Sequence, residues 1–569
     1  MDRLETLPLQ ADLAADLPDG APAAGATGGI GAAGSGVSAV ALGLALAACD
    51  SGGGGGGGGV VAPAPTPTPT VAAITSAQAS RFLSQATMGA TSADIAEVQS
   101  RRFDGWITAE FAKPRATTYW DWLVARGYND AANINGEAGF DNVMWSQLVG
   151  AGDQLRQRVG MALSEMLVVG ISGVNLNWRQ FAMAAYVDVL MDNAFGNFRT
   201  LLDRITTNAA MSSFLTFLNN RRANTTTGAV PDENYARELM QLFTIGLYRL
   251  NMDGSRVLSG GQPVETYAPA DVSGLARLFT GFTVDSSDST TPDRYRRPLI
   301  INAGTHETGA STFLGVTVPA GATGADALKT ALDTIFAHPN VPPFVSKQLI
   351  QRLVTSNPSP AYVGRVAARF ADNGSGVRGD MQAVIRAILL DDEARADPTG
   401  TTAGKLREPV MRLTGWARAF GAASNSGNWT TGDTSSSLNR LAQSMGRAPS
   451  VFNFFRPGYV PQNPAFATAG LVAPELQITN EISTVGYINY LQTVVQNSTD
   501  LRSTYAELTP LTDPQALVDR VNLLLAAGQV SSATLTQIRT AVESTTNATN
   551  RIYIAILLVM ASPEYLTLK

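Results

Sequence analysis

The chain has 569 residues, 45% of them hydrophobic and 15% charged, with a formal net charge of -6 and a pI near 5.2. That length can bury a large core, and an acidic balance with no run of basic residues excludes an extended phosphate-binding face. One cysteine and two histidines exclude an internal disulfide, zinc sites built on thiolates and a three-histidine zinc site.

In chain order, residues 37–48 are a weakly apolar, alanine-rich run that ends in Leu46-Ala47-Ala48-Cys49. The tetrapeptide is similar to a bacterial lipobox, which implies that Cys49 is acylated and becomes the mature N-terminus. Arg3 is the only basic residue before Arg81, whereas Asp2, Glu5, Asp12, Asp16 and Asp19 are acidic, a departure from the positive start of a signal peptide. Residues 52–59 are all glycine, and Pro63, Pro65, Pro67 and Pro69 follow in alternation with alanine and threonine. A floppy stretch followed by a stiff one makes a tether, and about twenty such residues reach on the order of 50 Å. The predicted organisation is a signal-like, disordered segment over 1–48, a lipidated cysteine with its tether over 49–73, and one large helical domain, whole or lobed, over 74–569.

The rest of the chain reads as all-α, a large multi-helix globular domain with long irregular loops and at most a small β-hairpin. Residues 153–170 place Leu155, Val159, Leu163, Met166 and Leu167 at spacings of three and four, with Arg158 and Glu165 two turns apart on another face. Residues 178–205, 326–336, 342–355, 381–390 and 407–420 show comparable periods. Residues 251–255 are a turn signal, with Val257 and Thr266 as candidate hairpin arms. Polar stretches at 286–293, 422–437 and 545–549 read as loops. The apolar run 552–560 is too short to cross a bilayer and reads as a core helix. Asp380, in Arg378-Gly379-Asp380, is placed to cap the helix that follows it.

The best site candidate is residues 231–246, predicted as a single helix. Pro231 suits a first helical position, Asp232 and Glu233 suit the positive dipole end, and Gly246 suits the stop. Tyr235, Leu239 and Leu242 make an apolar stripe beside a polar one of Asn234, Glu238 and Gln241. Glu238 and Glu233 are candidate acid and base, since carboxyl groups held close push their pKa values apart. His306 is the candidate metal ligand or proton carrier. Asp232 and Asp271 are the candidate metal-holding acids; the sequence leaves the cofactor unknown, and a divalent ion is the candidate these acids suit. The competing reading is an acid-rich helix start with a buried Glu238 paired to Arg237 or Arg277, a loop histidine at 306, and a helix-start turn at His338. No nucleophile elbow, Walker loop or Gly-x-Gly-x-x-Gly opening a helix occurs outside the glycine tract.

Several separated motifs carry a resemblance. Arg81-Phe82-Leu83-Ser84-Gln85-Ala86-Thr87-Met88-Gly89, Leu155-Arg156-Gln157-Arg158-Val159 and Asn193-Ala194-Phe195-Gly196-Asn197-Phe198-Arg199 precede the acidic segment. Ala276-Arg277-Leu278-Phe279-Thr280-Gly281-Phe282, His306-Glu307-Thr308-Gly309, Arg407-Glu408-Pro409-Val410 and Ser450-Val451-Phe452-Asn453-Phe454-Phe455-Arg456-Pro457-Gly458-Tyr459 follow it. Together they are similar to the bacterial family called domain of unknown function 1800. Met88 stands where that family usually has phenylalanine, and Phe282 where it usually has tryptophan. The resemblance transfers no catalytic residue. It implies an exported protein, commonly encoded beside a second exported family that resembles sulfatases and alkaline phosphatases. Two functions are therefore expected. The first is a lipid-anchored envelope protein with an accessory, scaffold or binding role beside that partner, without nucleic acid. The second is an extracytoplasmic hydrolase or lyase that uses the carboxylate and histidine site on a polymer or envelope substrate.

Overall fold

The computed structural model describes residues 72–397, 400 and 403–569, and residues 74–569 make one compact unit. Cys49 and its tether lie outside the described residues. Helices dominate. The first half carries α1 (Ser76–Ala86), α2 (Ser92–Ala112), α3 (Tyr119–Ala125), α4 (Phe140–Gly150), α5 (Gln154–Met166), α6 (Arg179–Asn193), α7 (Phe198–Thr206), α8 (Ala209–Phe214), α9 (Asn234–Glu238) and α10 (Pro269–Leu278). The second half carries α11 (Gly324–Ala337), α12 (Val341–Leu353), α13 (Pro360–Ala371), α14 (Met381–Leu390), α15 (Asp392–Arg395), α16 (Pro409–Ala419), α17 (Pro464–Thr468), α18 (Glu481–Val495), α19 (Pro514–Ala526), α20 (Ser532–Glu543), α21 (Ala548–Ala561) and α22 (Pro563–Leu566).

Local chemistry sets many of the starts. Thr75, Thr91, Thr118, Asn197, Asn208, Thr323, Ser359 and Asp380 each accept a backbone N–H of the first helical turn through the side chain. Asp380 of Arg378-Gly379-Asp380 is thus a cap, as expected, because it accepts from the N–H groups of Gln382 and Ala383. His338 closes α11, and its Nδ1 accepts the N–H of Asn340, which opens α12. The predicted long helix over 178–205 is two helices. Its break is the Asn193–Asn197 corner, where the carbonyl of Gly196 and the N–H of Phe198 bond to Met381 and Gly379.

Strands are short and pair two by two: β1 (Leu258–Ser259) with β2 (Gln262–Pro263), β3 (Phe282–Thr283) with β4 (Ile300–Ile301), and β5 (Ser311–Phe313) with β6 (Val316–Val318). β7 (Lys405–Leu406) pairs with β10 (Thr567–Leu568) and β8 (Ala423–Ser424) with β9 (Leu501–Arg502), all antiparallel. Five small sheets among the described residues thus stand where one hairpin was expected, and the sheet nearest the expected place, β1–β2, turns at Gly260–Gly261 rather than at 251–255. The turn at 251–255 does form, with the N–H of Asn251 bonded to the carbonyl of Ser255, and it closes an isolated bridge between Leu250 and Arg256. Two of the other pairs, β7–β10 and β8–β9, join residues far apart in sequence, which no alternating pattern announces.

The core is one continuous apolar cluster that runs through nearly every helix. Trp106, Trp145, Trp178 and Trp416 are fully buried within it. Residues 548–561 form α21, whose Ile552, Ile556, Val559 and Met560 are buried, as expected of a core helix. No helix among the described residues is long and apolar enough to cross a membrane. α5 is buried nearly all round: eleven of its thirteen residues are buried, Arg158 and Glu165 included. Charges on such a helix must find partners inside the protein.

Candidate functional site

Residues 231–246 are not a single helix. Asp232 folds back so that its carboxylate accepts the N–H of Asn234, Glu233 is the residue before the first turn, and α9 starts only at Asn234. From Leu239 to Thr244 the backbone is a π-helical turn, with the N–H of Ile245 bonded five residues back to the carbonyl of Met240 at 2.9 Å. The hydroxyl of Thr244 bonds to the carbonyl of Leu239, which helps hold the wider turn. The extra residue per turn moves the buried set to Tyr235, Leu239, Met240 and Phe243, leaving Leu242 half-buried. Gly246 does end the segment, at φ 71°.

The acids of this segment are mostly engaged locally. Glu233 pairs with Arg237 at 2.9 Å and accepts the hydroxyl of Ser273 at 2.5 Å. Asp232 accepts from Thr216 at 3.0 Å. Asp271 opens α10, taking the N–H of Ala268 at 2.8 Å and that of Leu314 at 2.7 Å. His306 is buried on another loop, with Nδ1 2.9 Å from the carbonyl of Thr280 and Nε2 unpartnered. Arg277 is paired with Glu307 at 3.3 Å and Arg237 with Glu233, so neither of the arginines proposed for Glu238 forms an ion pair with it. Glu238 is buried with Oε2 unpartnered, and desolvation pushes its pKa up to about 7 while Arg237 pulls the other way. Among the described residues no group of three or more His, Cys, Asp and Glu side chains is placed to hold a metal ion.

A second constellation, which periodicity alone did not single out, lies where α5, α12, β7 and α16 meet. Lys405 Nζ stands 3.0 Å from Glu408 and 3.0 Å from Glu475, and donates to the carbonyl of Arg352 at 2.8 Å. All of these side chains are essentially removed from solvent. The guanidinium of Arg158 donates to that same carbonyl, and Arg352 donates to the carbonyl of Glu165 at 2.9 Å while its Nε faces the Glu165 carboxyl at 3.8 Å. Gln443 donates to the second oxygen of Glu408 at 2.9 Å.

Two of these carboxyl groups are driven apart. Burial works against ionising Glu408, but Lys405, Glu165, Arg158 and Gln443 outweigh it and hold Glu408 below the ordinary carboxylate range. Glu165 goes the other way, raised well above that range by burial first and by the charge of Glu408 next. Neither Glu165 oxygen takes part in a hydrogen bond, and the carboxyl faces the Arg352 guanidinium at 3.8 Å. A carboxyl so placed favours its protonated form. Burial also raises Glu475, against the pull of Lys405.

Glu165 lines a narrow cavity of about 20 Å³ with Met161, Val169, Gln443, Met445, Asn453 and Phe454. That is room for about one water. Arg158, Glu408 with Val410, and Asn453 with Phe454 come from three of the motifs that carry the family resemblance, so stretches 250 residues apart and more converge on one place. A family model described as protein of unknown function (DUF1800) matches residues 81–567. The chain belongs to the DUF1800 family. No curated protein and no solved structure matches it. The signal for this DUF1800 site was present in part, since Arg158 and Glu165 share a helix and Lys405 precedes Glu408 by three, but no spacing could say that these pairs meet.

Proposed function

We propose that this DUF1800 protein is an exported, lipid-anchored envelope component with an accessory, binding role. Its partner would be the co-encoded exported protein of the sulfatase and alkaline phosphatase-like type. The observation that carries this reading is an apolar patch on one side of the body. Ile482 and Val485, three apart on α18, are 56% and 59% exposed, and Leu438 is 72% exposed. The 437–438 backbone lies against Gly486 of the same helix, which brings Leu438 beside the pair. Leu438 also lines an open groove of about 450 Å³ with Arg440, Asn489, Tyr490 and Thr493, the last three from the same helix. Single exposed apolar residues are ordinary, but an exposed pair on one helix with a third held against that helix suits a protein contact.

The test is site-specific photocrosslinking from position 485 in cells that make both proteins. A crosslink to the sulfatase-like neighbour, abolished by Ile482→Asp, supports the reading; efficient surface expression with no crosslink to that neighbour refutes it. Acylation of Cys49 is tested separately, by mass spectrometry of the mature N-terminal peptide, and an unmodified Cys49 removes the anchor.

A second reading, a hydrolase or lyase of an envelope polymer, draws its support from Glu238, a buried acid with an unpartnered oxygen and a pKa near neutrality. It predicts that Glu238→Gln abolishes turnover of envelope polymer at unchanged stability, and an equally active variant ends it.

A further inference from the structure

The chain has two histidines, and their rings are bonded in opposite senses. His306 is buried with Nδ1 2.9 Å from the carbonyl of Thr280, so that nitrogen carries the ring proton, and the unpartnered Nε2 can take another without breaking a bond. His338 is the reverse. Its Nδ1 accepts the N–H of Asn340 at 3.1 Å, which leaves the ring proton on Nε2 and makes Nδ1 the one place for a second. Protonation of His338 therefore sets an N–H against an N–H.

What that bond positions is a clamp. Asn340 is buried at the start of α12, where its Nδ2 donates to the carbonyls of Ile245 at 2.8 Å and Tyr248 at 2.7 Å, and its Oδ1 accepts the N–H of Leu250 at 3.0 Å. One side chain thus fastens residues 245–250, the strap that continues the π-helical turn, to the corner between α11 and α12. The corner is tight, with the N–H of His338 bonded to the carbonyl of Ile335 and that of Val341 to the carbonyl of His338, so a displaced ring turns Asn340 with it.

The charges around the ring oppose a cation. Arg249 of the strap and Arg378, whose guanidinium donates to the His338 carbonyl at 3.0 Å, both repel one, and burial together with these two holds the ring below the ordinary histidine range. Asp333, five residues back on α11, pairs with Arg199 and Lys329, Asp380 beside Arg378 caps α14, and the first turn of α12 carries no charge, so no acid answers a proton on His338. The stability drawn from the neutral ring is therefore complete above about pH 6.5 and is lost as pH falls.

We propose that His338 is an acid-released latch. A proton taken from solvent by Nδ1 expels the N–H of Asn340, the Asn340 side chain leaves the carbonyls of Ile245 and Tyr248, and the 245–250 strap loosens from α12 while the core stays closed. The device lies apart from the α18 patch and stands or falls independently of the partner reading and of the polymer reading.

The experiment is amide hydrogen exchange on the full-length chain in detergent micelles, read by mass spectrometry at about pH 7.5 and about pH 5 and corrected for the intrinsic rates. At the lower pH the protection of residues 245–250 and 340–341 is expected to fall ~10-fold, the worth of one hydrogen bond, while α21 stays as protected as before. His338→Asn keeps an oxygen that can accept the N–H two residues on but takes no proton in this range, so that variant should hold its protection at both pH values. Unchanged protection in the parent, an equal loss in α21, or the same acid loss in His338→Asn would each overturn the proposal. Should the variant fail to fold, the parent's own ring decides: an NMR titration of His338 with a midpoint below about 6.5 supports the latch, and a midpoint at or above it refutes the latch.

Discussion

Replacing Lys405 with methionine removes a cation that touches Glu408 and Glu475 at once, each at 3.0 Å. Removing one partner of a buried pair costs roughly 3–5 kcal/mol, because a charge is left without compensation. Here two carboxyl groups lose their partner, together with a bond to the carbonyl of Arg352. Glu475 can take up a proton, which burial already favours, and Gln443 still serves Glu408, so the loss should stay within that range rather than double it. With an unfolding entropy of about 2 cal/mol/K per residue over roughly 500 residues, each kcal/mol lowers Tm by about 1 °C. Calorimetry at pH 7 should therefore show Lys405→Met melting about 3–5 °C below the parent. The double variant Lys405→Met with Glu475→Gln should regain part of that difference, since it deletes one of the two orphaned charges. A single variant as stable as the parent, or a double variant less stable than the single, would show that the cluster is not held by Lys405.

Further tests address other parts of the molecule. Glu238 binds its proton more tightly folded than unfolded, so the stability this contributes is complete below about pH 4.5 and is lost as pH rises to about 7. Glu238→Gln should flatten the pH dependence of Tm across that window by an amount on the order of 1–3 kcal/mol, and an unchanged slope would contradict the assignment. At Gly274 of α10 an added methyl would sit 1.9 Å from the carbonyl oxygen of Thr312 in β5, so Gly274→Ala should cost about 1–3 kcal/mol in urea unfolding. Asp380 accepts the N–H groups of Gln382 and Ala383 and the Asn373 amide, and Asp380→Ala should destabilise by about 1–2 kcal/mol in urea unfolding.

Most helices were legible because their information is local. The period of α5, the apolar run of α21, the cap at Asp380 and the stop at Gly246 each depend on residues within a few positions of one another. The error in the acidic segment has a local cause too. Asp232 competes for the N–H of Asn234 and Thr244 for the carbonyl of Leu239, so side-chain oxygens redirect backbone bonds that a stripe count assumes are regular.

The site was legible only in fragments. That Arg158 and Glu165 share a helix could be read directly, and a largely helical, charge-poor chain implies that a charged pair on a helix buried all round must be compensated. Which groups compensate it is a matter of contacts between α5, α12, β7 and α16, between residues such as Glu165 and Arg352 or Lys405 and Glu475. Those contacts follow from how whole helices pack, and the same packing strips away the water that would have made each charge unremarkable. Composition and period thus determined a helix-rich body; the splitting of Glu165 from Glu408 exists only because folding brings two acids together where solvent cannot separate them.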